Sequence, residues 1–177
     1  RNGQFDQKKI IPDIFELYKK NIFIIGFGRT GKALSKRCIS FETKVYVYDP
    51  YVETNIIKEH NCCPISFEEG IKIADFISVH LPLNEKTKYL ITKKEFSQMK
   101  NTCIIVNTAR GGIIKEDDLL WALKNKIIHS AGLDVFEQEP PDKNNPLFTM
   151  ENLILSPHNA ALSLECRKRM AIETCNN

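Results

Sequence analysis

The apolar runs of this sequence are short. Those at residues 22–25 and 103–106 fall far below the roughly 20 residues of a membrane-crossing helix. No basic head followed by an apolar stretch opens the chain, so no secretory signal is visible. Basic residues are not clustered: the net charge is +3, and the lysines are scattered rather than gathered on a stripe with interleaved aromatics. That excludes the usual footprint of a nucleic-acid binder. Six cysteines are present (38, 62, 63, 103, 166 and 175) but no C-x-x-C pair, and no His stands at metal-ligand spacing from them. No metal site is therefore expected. Repeats and low-complexity stretches are also missing. What remains is 177 residues, 42% apolar and 27% charged, enough for one domain with a sizeable core, or a domain plus an arm. A core-rich chain of this size is a poor candidate for a disulfide framework, so the compartment reads as reducing, with the cytoplasm as default. Cys103 lies in a strand-like run and reads as a small buried hydrophobe.

Apolar β-rich runs alternate with helical patterns. Strands are expected at residues 21–26, 44–49, 62–66, 75–80, 103–108, 129–134 and 152–155. Helices are expected at 30–40, 67–74, 92–99, 115–125 and 163–175. Such alternation implies an α/β fold: a mostly parallel, doubly wound sheet of Rossmann type, flanked by helices and joined by right-handed crossovers. Residues 1–20 stand outside the alternation and read as an entering arm, leaving 21–177 as the domain. The one Pro-rich polar loop spans 137–146.

Three of the eight glycines fall in one stretch, GFGRTG, as Gly26, Gly28 and Gly31. G-x-G-x-x-G is a weak motif in isolation, but here a strand runs into it and a helix leaves it. The first glycine permits the tight turn, the second lets backbone approach a pyrophosphate, and the third allows close helix–strand packing. The diphosphate then meets free N–H groups at the positive end of the helix dipole. Asp49 ends the second strand roughly 20 residues on, where an acid bonds the adenosine ribose and repels a 2′-phosphate, favouring NAD over NADP. The plainer reading of Asp49 is a turn residue before Pro50.

Ligands of a doubly wound sheet sit outside the carboxyl ends of the strands. The residues there are His80, Leu81 and Pro82; Thr108, Ala109, Arg110 and Gly111; Asp134 and then Glu139; Pro157, His158 and Asn159. Arg110 offers a planar fork for a carboxylate or keto oxygen. Histidine, the residue at 158, is the side chain whose proton affinity in general lies near neutral pH, and Glu139 is placed to hold its other ring nitrogen and favour the imidazolium. Hydride transfer to a ketone creates an alkoxide that needs a proton, which an imidazolium supplies. Taken singly, each has a plainer reading: a surface Arg beside glycines, a polar Glu in EQEPP, a His capping a strand end. His80 reads as structural or cofactor-lining, and His60 and His129 as surface or packing residues.

Between residues 21 and 171 the blocks IIGFGRTGKAL, VYDPY, HLPLNEKTKYLI, VNTARGGIIKEDDLLWALKN, AGLDVFEQEPP and SPHNAALS resemble the nucleotide-binding domain of the D-isomer-specific 2-hydroxyacid dehydrogenases. The phosphoglycerate dehydrogenase and hydroxypyruvate/glyoxylate reductase branches are the most similar. The resemblance implies that Arg110 orients the substrate, Glu139 pairs with the catalytic histidine and His158 is the general acid/base. It implies pyrophosphate contacts at Arg29 and Thr30, a ribose contact at Asp49, and a cofactor cleft lined by Pro82, Thr108 and Ala109. It also implies an acid near the nicotinamide amide at Asp134, and a stretch from His158 through Asn159 and Ala160 to Ala161 that closes over the nicotinamide. Thr30 departs from the family's usual Ile or Val.

In that family the nucleotide domain is inserted within a substrate domain, which is missing here. The chain is therefore expected to be a fragment with little or no turnover alone. The implied reaction is NAD-dependent interconversion of a D-2-hydroxyacid and a 2-ketoacid, with 3-phosphoglycerate, or hydroxypyruvate and glyoxylate, as substrate classes. The family's arm makes a homodimer the expected assembly. A different class remains open, an NAD(H)-sensing corepressor-like module. NTARGG and DVFEQEP argue against an adenosylhomocysteine hydrolase domain.

Overall fold

The computed structural model describes residues 15–175. Seven strands form one all-parallel sheet: β1 (Asn21–Ile25), β2 (Lys44–Tyr48), β3 (Cys63–Pro64), β4 (Phe76–Val79), β5 (Ile104–Asn107), β6 (Ser130–Leu133) and β7 (Leu153–Leu155). Their spatial order is β3-β2-β1-β4-β5-β6-β7. The order reverses between β1 and β4, the switch point beside which a doubly wound sheet binds its ligand. Five helices connect strands, α1 (Arg29–Ile39), α2 (Thr54–Glu59), α3 (Phe67–Ile73), α4 (Lys93–Phe96) and α5 (Glu116–Lys124), and α6 (Leu164–Cys175) follows β7.

β1 shows why its residues make a central strand. Phe23 and Ile25 face one core cluster with Ile77, Ile105, Leu119 and Leu123; Ile22 and Ile24 face a second with Phe27, Val45, Val47 and Ile57. A strand covered on both faces reads as an unbroken apolar run rather than an alternation. Each fully buried Phe or Ile contributes about 1.5–3 kcal/mol. In α1 the buried positions Gly31, Ser35 and Cys38 recur at helical spacing along the side facing the sheet. Cys103 is fully buried, and that burial pushes its thiol pKa up to about 12, leaving it inert.

All seven expected strands are present, with ends trimmed by a residue or two. β3 is shortest because Pro64 contributes no N–H, although Ile65 still donates to the Val47 carbonyl at 3.0 Å. α4 is a single turn rather than the expected 92–99. Thr92 and Glu95 form its capping box, and Met99 then bonds the Phe96 carbonyl in a tighter i−3 pattern. Two short elements escape periodicity altogether, α2 and the 3₁₀ turn Pro146–Thr149 inside the Pro-rich loop. Of the expected arm, residues 1–14 lie outside the described residues. Residues 15–20 rest on the domain: Leu17 packs with the second cluster, Phe15 meets the His129 ring edge-on at 4.8 Å, and the Lys20 carbonyl accepts from Lys44 N–H.

Candidate active site

The tips of the strands carry the predicted residues in spatial sequence: Asp49 after β2, the glycine turn after β1, His80 and Pro82 after β4, Thr108 to Arg110 after β5, Asp134 and Glu139 after β6, His158 after β7. The glycine turn is formed as the motif implies. Gly26 has φ +97°, and a Cβ there would lie 2.6 Å from the His80 carbonyl oxygen. A Cβ at Gly31 would collide with the Gly26 carbonyl, whereas one at Gly28 would meet nothing within 4 Å. Space above the turn is therefore open where a diphosphate would approach. Gly28 occupies the N-cap of α1, no side chain caps the helix and its first turn holds no acid, so its leading N–H groups remain free for an anion. Arg29 and Thr30 lie exposed beside them.

Asp49 braces this turn. Its Oδ2 accepts from Phe27 N–H at 2.7 Å and its Oδ1 from Tyr51 N–H at 2.9 Å. A carboxylate has lone pairs left for ribose hydroxyls. His80, at the switch point, takes a 2.9 Å bond between Nε2 and the Ser78 hydroxyl, and burial lowers its pKa, favouring the neutral ring. Pro82 and Thr108 are exposed at their strand tips.

At the other end of the row, His158 Nδ1 lies 2.7 Å from Glu139 Oε2. Glu139 Oε1 accepts from Phe136 N–H at 3.0 Å. The bond from His158 lowers the Glu139 pKa most; desolvation opposes it, the Phe136 N–H assists, and the carboxyl stays below the usual glutamate range. Because Nδ1 faces Glu139, Nε2 is the nitrogen left for a reactant. His158 holds φ +51°, a left-handed conformation uncommon for a residue with a side chain and concentrated at functional sites.

The loop that carries His158 is organised by Asp134, which is 3% exposed. Its Oδ1 accepts from the Ser156 hydroxyl and from Asn159 N–H at 2.9 Å, and its Oδ2 from Ala160 N–H at 2.9 Å. Burial raises its pKa, but these donors and nearby His158 outweigh burial and hold it below the ordinary range. A cavity of about 340 Å³, walled by Phe136, Phe148, Leu155 and Pro157, opens beside the His158–Glu139 pair.

Arg110 is exposed and donates from Nη1 to the Ala109 carbonyl at 2.6 Å. Among the described residues it has no carboxylate partner. Asn107, buried at the end of β5, fixes its turn by donating to the Arg110 carbonyl and accepting from Ala109 N–H. Gly111 joins the Arg110 loop to the loop that ends in Glu139. A Cβ there would overlap the Phe136 carbonyl, so the Arg110 loop lies backbone against backbone on the loop that ends in Glu139. Gly111, Asn107 and Ser156 are supporting residues without a role in the sequence reading. The doubled glycine after Arg110 was the available signal for a close approach.

A switch-point sheet, an open phosphate-type turn and a histidine–carboxylate pair on one row of strand tips define a dinucleotide-binding type of domain. The family model for the D-isomer-specific 2-hydroxyacid dehydrogenase NAD-binding domain matches residues 1–160. The chain belongs to the D-isomer-specific 2-hydroxyacid dehydrogenase family, as its NAD-binding domain. The D-3-phosphoglycerate dehydrogenase of Methanocaldococcus jannaschii is 41% identical over 169 residues, covering 95% of this chain and 32% of that protein. The hydroxypyruvate reductase of Thermotoga maritima is 38% identical over 176 residues, covering 98% and 56%. Among solved structures, D-lactate dehydrogenase with NAD+ from Lactobacillus jensenii superposes with a TM-score of 0.85 at 31% identity, covering 92% of this chain and 52% of that one. The chain thus spans between about a third and a little over half of these proteins. No described helix is long and apolar enough to cross a membrane.

Proposed function

We propose that this domain binds NAD and serves the reversible, NAD-dependent oxidation of a D-2-hydroxyacid to its 2-ketoacid. NAD supplies the hydride acceptor. The chain supplies the seat and the proton path. Free N–H groups at the start of α1 face the diphosphate, and Asp49 faces the adenosine ribose. Pro82, Thr108 and Ala109 line the cleft, with the loop from His158 to Ala161 over its far end. Arg110 presents its fork to the carboxylate of the acid. His158 takes the hydroxyl proton at Nε2 and returns it in the reverse direction, while Glu139 holds Nδ1 and favours the imidazolium. The Glu139–His158 bond, 2.7 Å between two loops far apart in sequence, is the observation that carries this reading.

The similar proteins are named for phosphoglycerate, hydroxypyruvate and glyoxylate chemistry, and these acids are the proposed substrate classes. A homodimer in a reducing, cytoplasmic setting is the proposed context, with residues 1–20 as arm and 21–177 as cofactor domain. Titrating the chain with NADH decides the matter: saturable binding, competed by NAD and retained in His158→Ala, is expected. A folded chain that ignores NADH refutes the reading. Little turnover of glyoxylate, hydroxypyruvate, pyruvate or phosphohydroxypyruvate is expected from these residues alone.

A further inference from the structure

We propose that Glu137 is the positioning residue of the acid–base pair, a carboxylate that locks the Glu139 loop onto the start of α5 and onto the loop after β4. The proposal deepens the dehydrogenase reading and rests on it for its catalytic meaning. Four bonds carry it. Glu137 Oε1 accepts from Glu116 N–H at 2.6 Å, while Glu137 N–H donates back to Glu116 Oε1 at 2.5 Å. Glu137 Oε2 accepts from the Tyr89 hydroxyl at 3.0 Å, and Glu116 Oε2 accepts from Asn145 Nδ2 at 3.2 Å. The reciprocal pair closes the N-terminus of α5, where Lys115 offers no side-chain cap and the helix dipole favours negative charge.

The clamp reaches the chemistry through a short path. Glu137 lies next to Phe136, whose N–H donates to Glu139 and whose carbonyl abuts Gly111, directly after Arg110. Fixing Glu137 therefore fixes one donor to Glu139 and the seam between the arginine loop and the histidine pair. Glu137 is itself exposed, so it is these bonds rather than burial that fix it. Tyr89, at φ +51°, ties in the loop after β4.

The test reads the Glu139 carboxyl by NMR titration in the chain itself. Glu137→Ala is expected to move its midpoint upward, toward the ordinary glutamate value near ~4.3, as the Phe136 and His158 bonds loosen. Glu137→Gln keeps an acceptor for Glu116 N–H and moves it less; Tyr89→Phe moves it least. NADH affinity, to which the glycine turn and Asp49 contribute without any bond to Glu137, stays within about twofold. An unmoved Glu139 titration in folded Glu137→Ala overturns the proposal. If that variant does not fold, an unmoved midpoint in both Glu137→Gln and Tyr89→Phe does so. Absent NADH binding by the unaltered chain would sink the dehydrogenase reading while leaving the Glu139 titration to decide the clamp.

Discussion

The β1–β2 end of the strand-tip row is made of backbone, whereas the β5–β7 end is made of side chains. At the glycine turn the determinants are a positive φ, a missing Cβ and uncapped N–H groups, with one carboxylate as brace. At the far end, Asp134, Glu137 and Glu139 collect N–H and O–H donors from loops 20 or more residues away in several cases. Shape suffices to seat a diphosphate, a ligand common to many dinucleotides. Moving a proton, the role proposed for that end, requires particular atoms at hydrogen-bond distance, and there hydrogen-bonded carboxylates, of which Asp134 is buried, hold the loops. The two ends should consequently fail differently when altered.

The largest expected effect breaks the comparison at its one exception, Gly111, where the side-chain end also relies on backbone contact. Gly111→Ala places a methyl group into the Phe136 carbonyl, which neither loop can swing aside as a flexible side chain would. A loss of about 2–4 kcal/mol is expected in urea denaturation. Gly28→Ala, with open space above it, is expected to cost below about 1 kcal/mol in stability yet weaken NADH about tenfold, or ~1.4 kcal/mol. A Gly111→Ala chain as stable as the unaltered one would remove the proposed seam.

Asp134→Asn comes next. One amide oxygen cannot replace two carboxylate oxygens that take three donors, and its NH₂ would confront a donor. About 1–3 kcal/mol should be lost. The acid limb sharpens the point. Asp134 has a folded pKa below its unfolded value, so its stabilisation is complete above the ordinary aspartate pKa near ~3.9 and disappears as pH falls through the folded value. Glu139 is depressed too, so it acts in the same direction, discounted for its exposure. Denaturation midpoints followed downward from about pH 6 should fall less steeply in Asp134→Asn than in the unaltered chain. Parallel curves would mean that the buried carboxylate contributes nothing on ionisation.

Legibility in the sequence follows the same division. The order of strands and helices was readable because both faces of β1 and one face of β4 and β5 are apolar at the right period. The glycine turn was readable because Gly26 and Gly31 answer local steric demands and Gly28 between them leaves the approach open. Arg110, Glu139 and His158 were readable as residues at strand tips, and the Glu139–His158 bond joins two of them as expected. α2 was missed because TNIIKE is a single short segment with only Ile57 buried, too little for a periodic signal. The supporting bonds of Asp134 to Ser156 and of Glu137 to Glu116 were missed for a different reason. They join residues 21 or 22 positions apart, and only the folded sheet sets those loops side by side.

The smallest effect expected is also the one that separates two roles within a single side chain. Asp49 braces the glycine turn through Phe27 N–H, and in the proposed seating of the cofactor it faces the place where a 2′-phosphate would add negative charge. Asp49→Asn keeps an oxygen for Phe27 but removes the charge. Stability should change little, while the preference for NADH over NADPH narrows by about tenfold, or ~1.4 kcal/mol. Asp49→Ala removes the brace as well, adding a stability loss of about 1 kcal/mol and weaker binding of both dinucleotides. If Asp49→Asn leaves the preference untouched while Asp49→Ala weakens both cofactors equally, the carboxylate works only on the turn. Discrimination between the cofactors would then come from the chain beyond β2, where Tyr51 and Lys86 lie within 3.4 Å of each other.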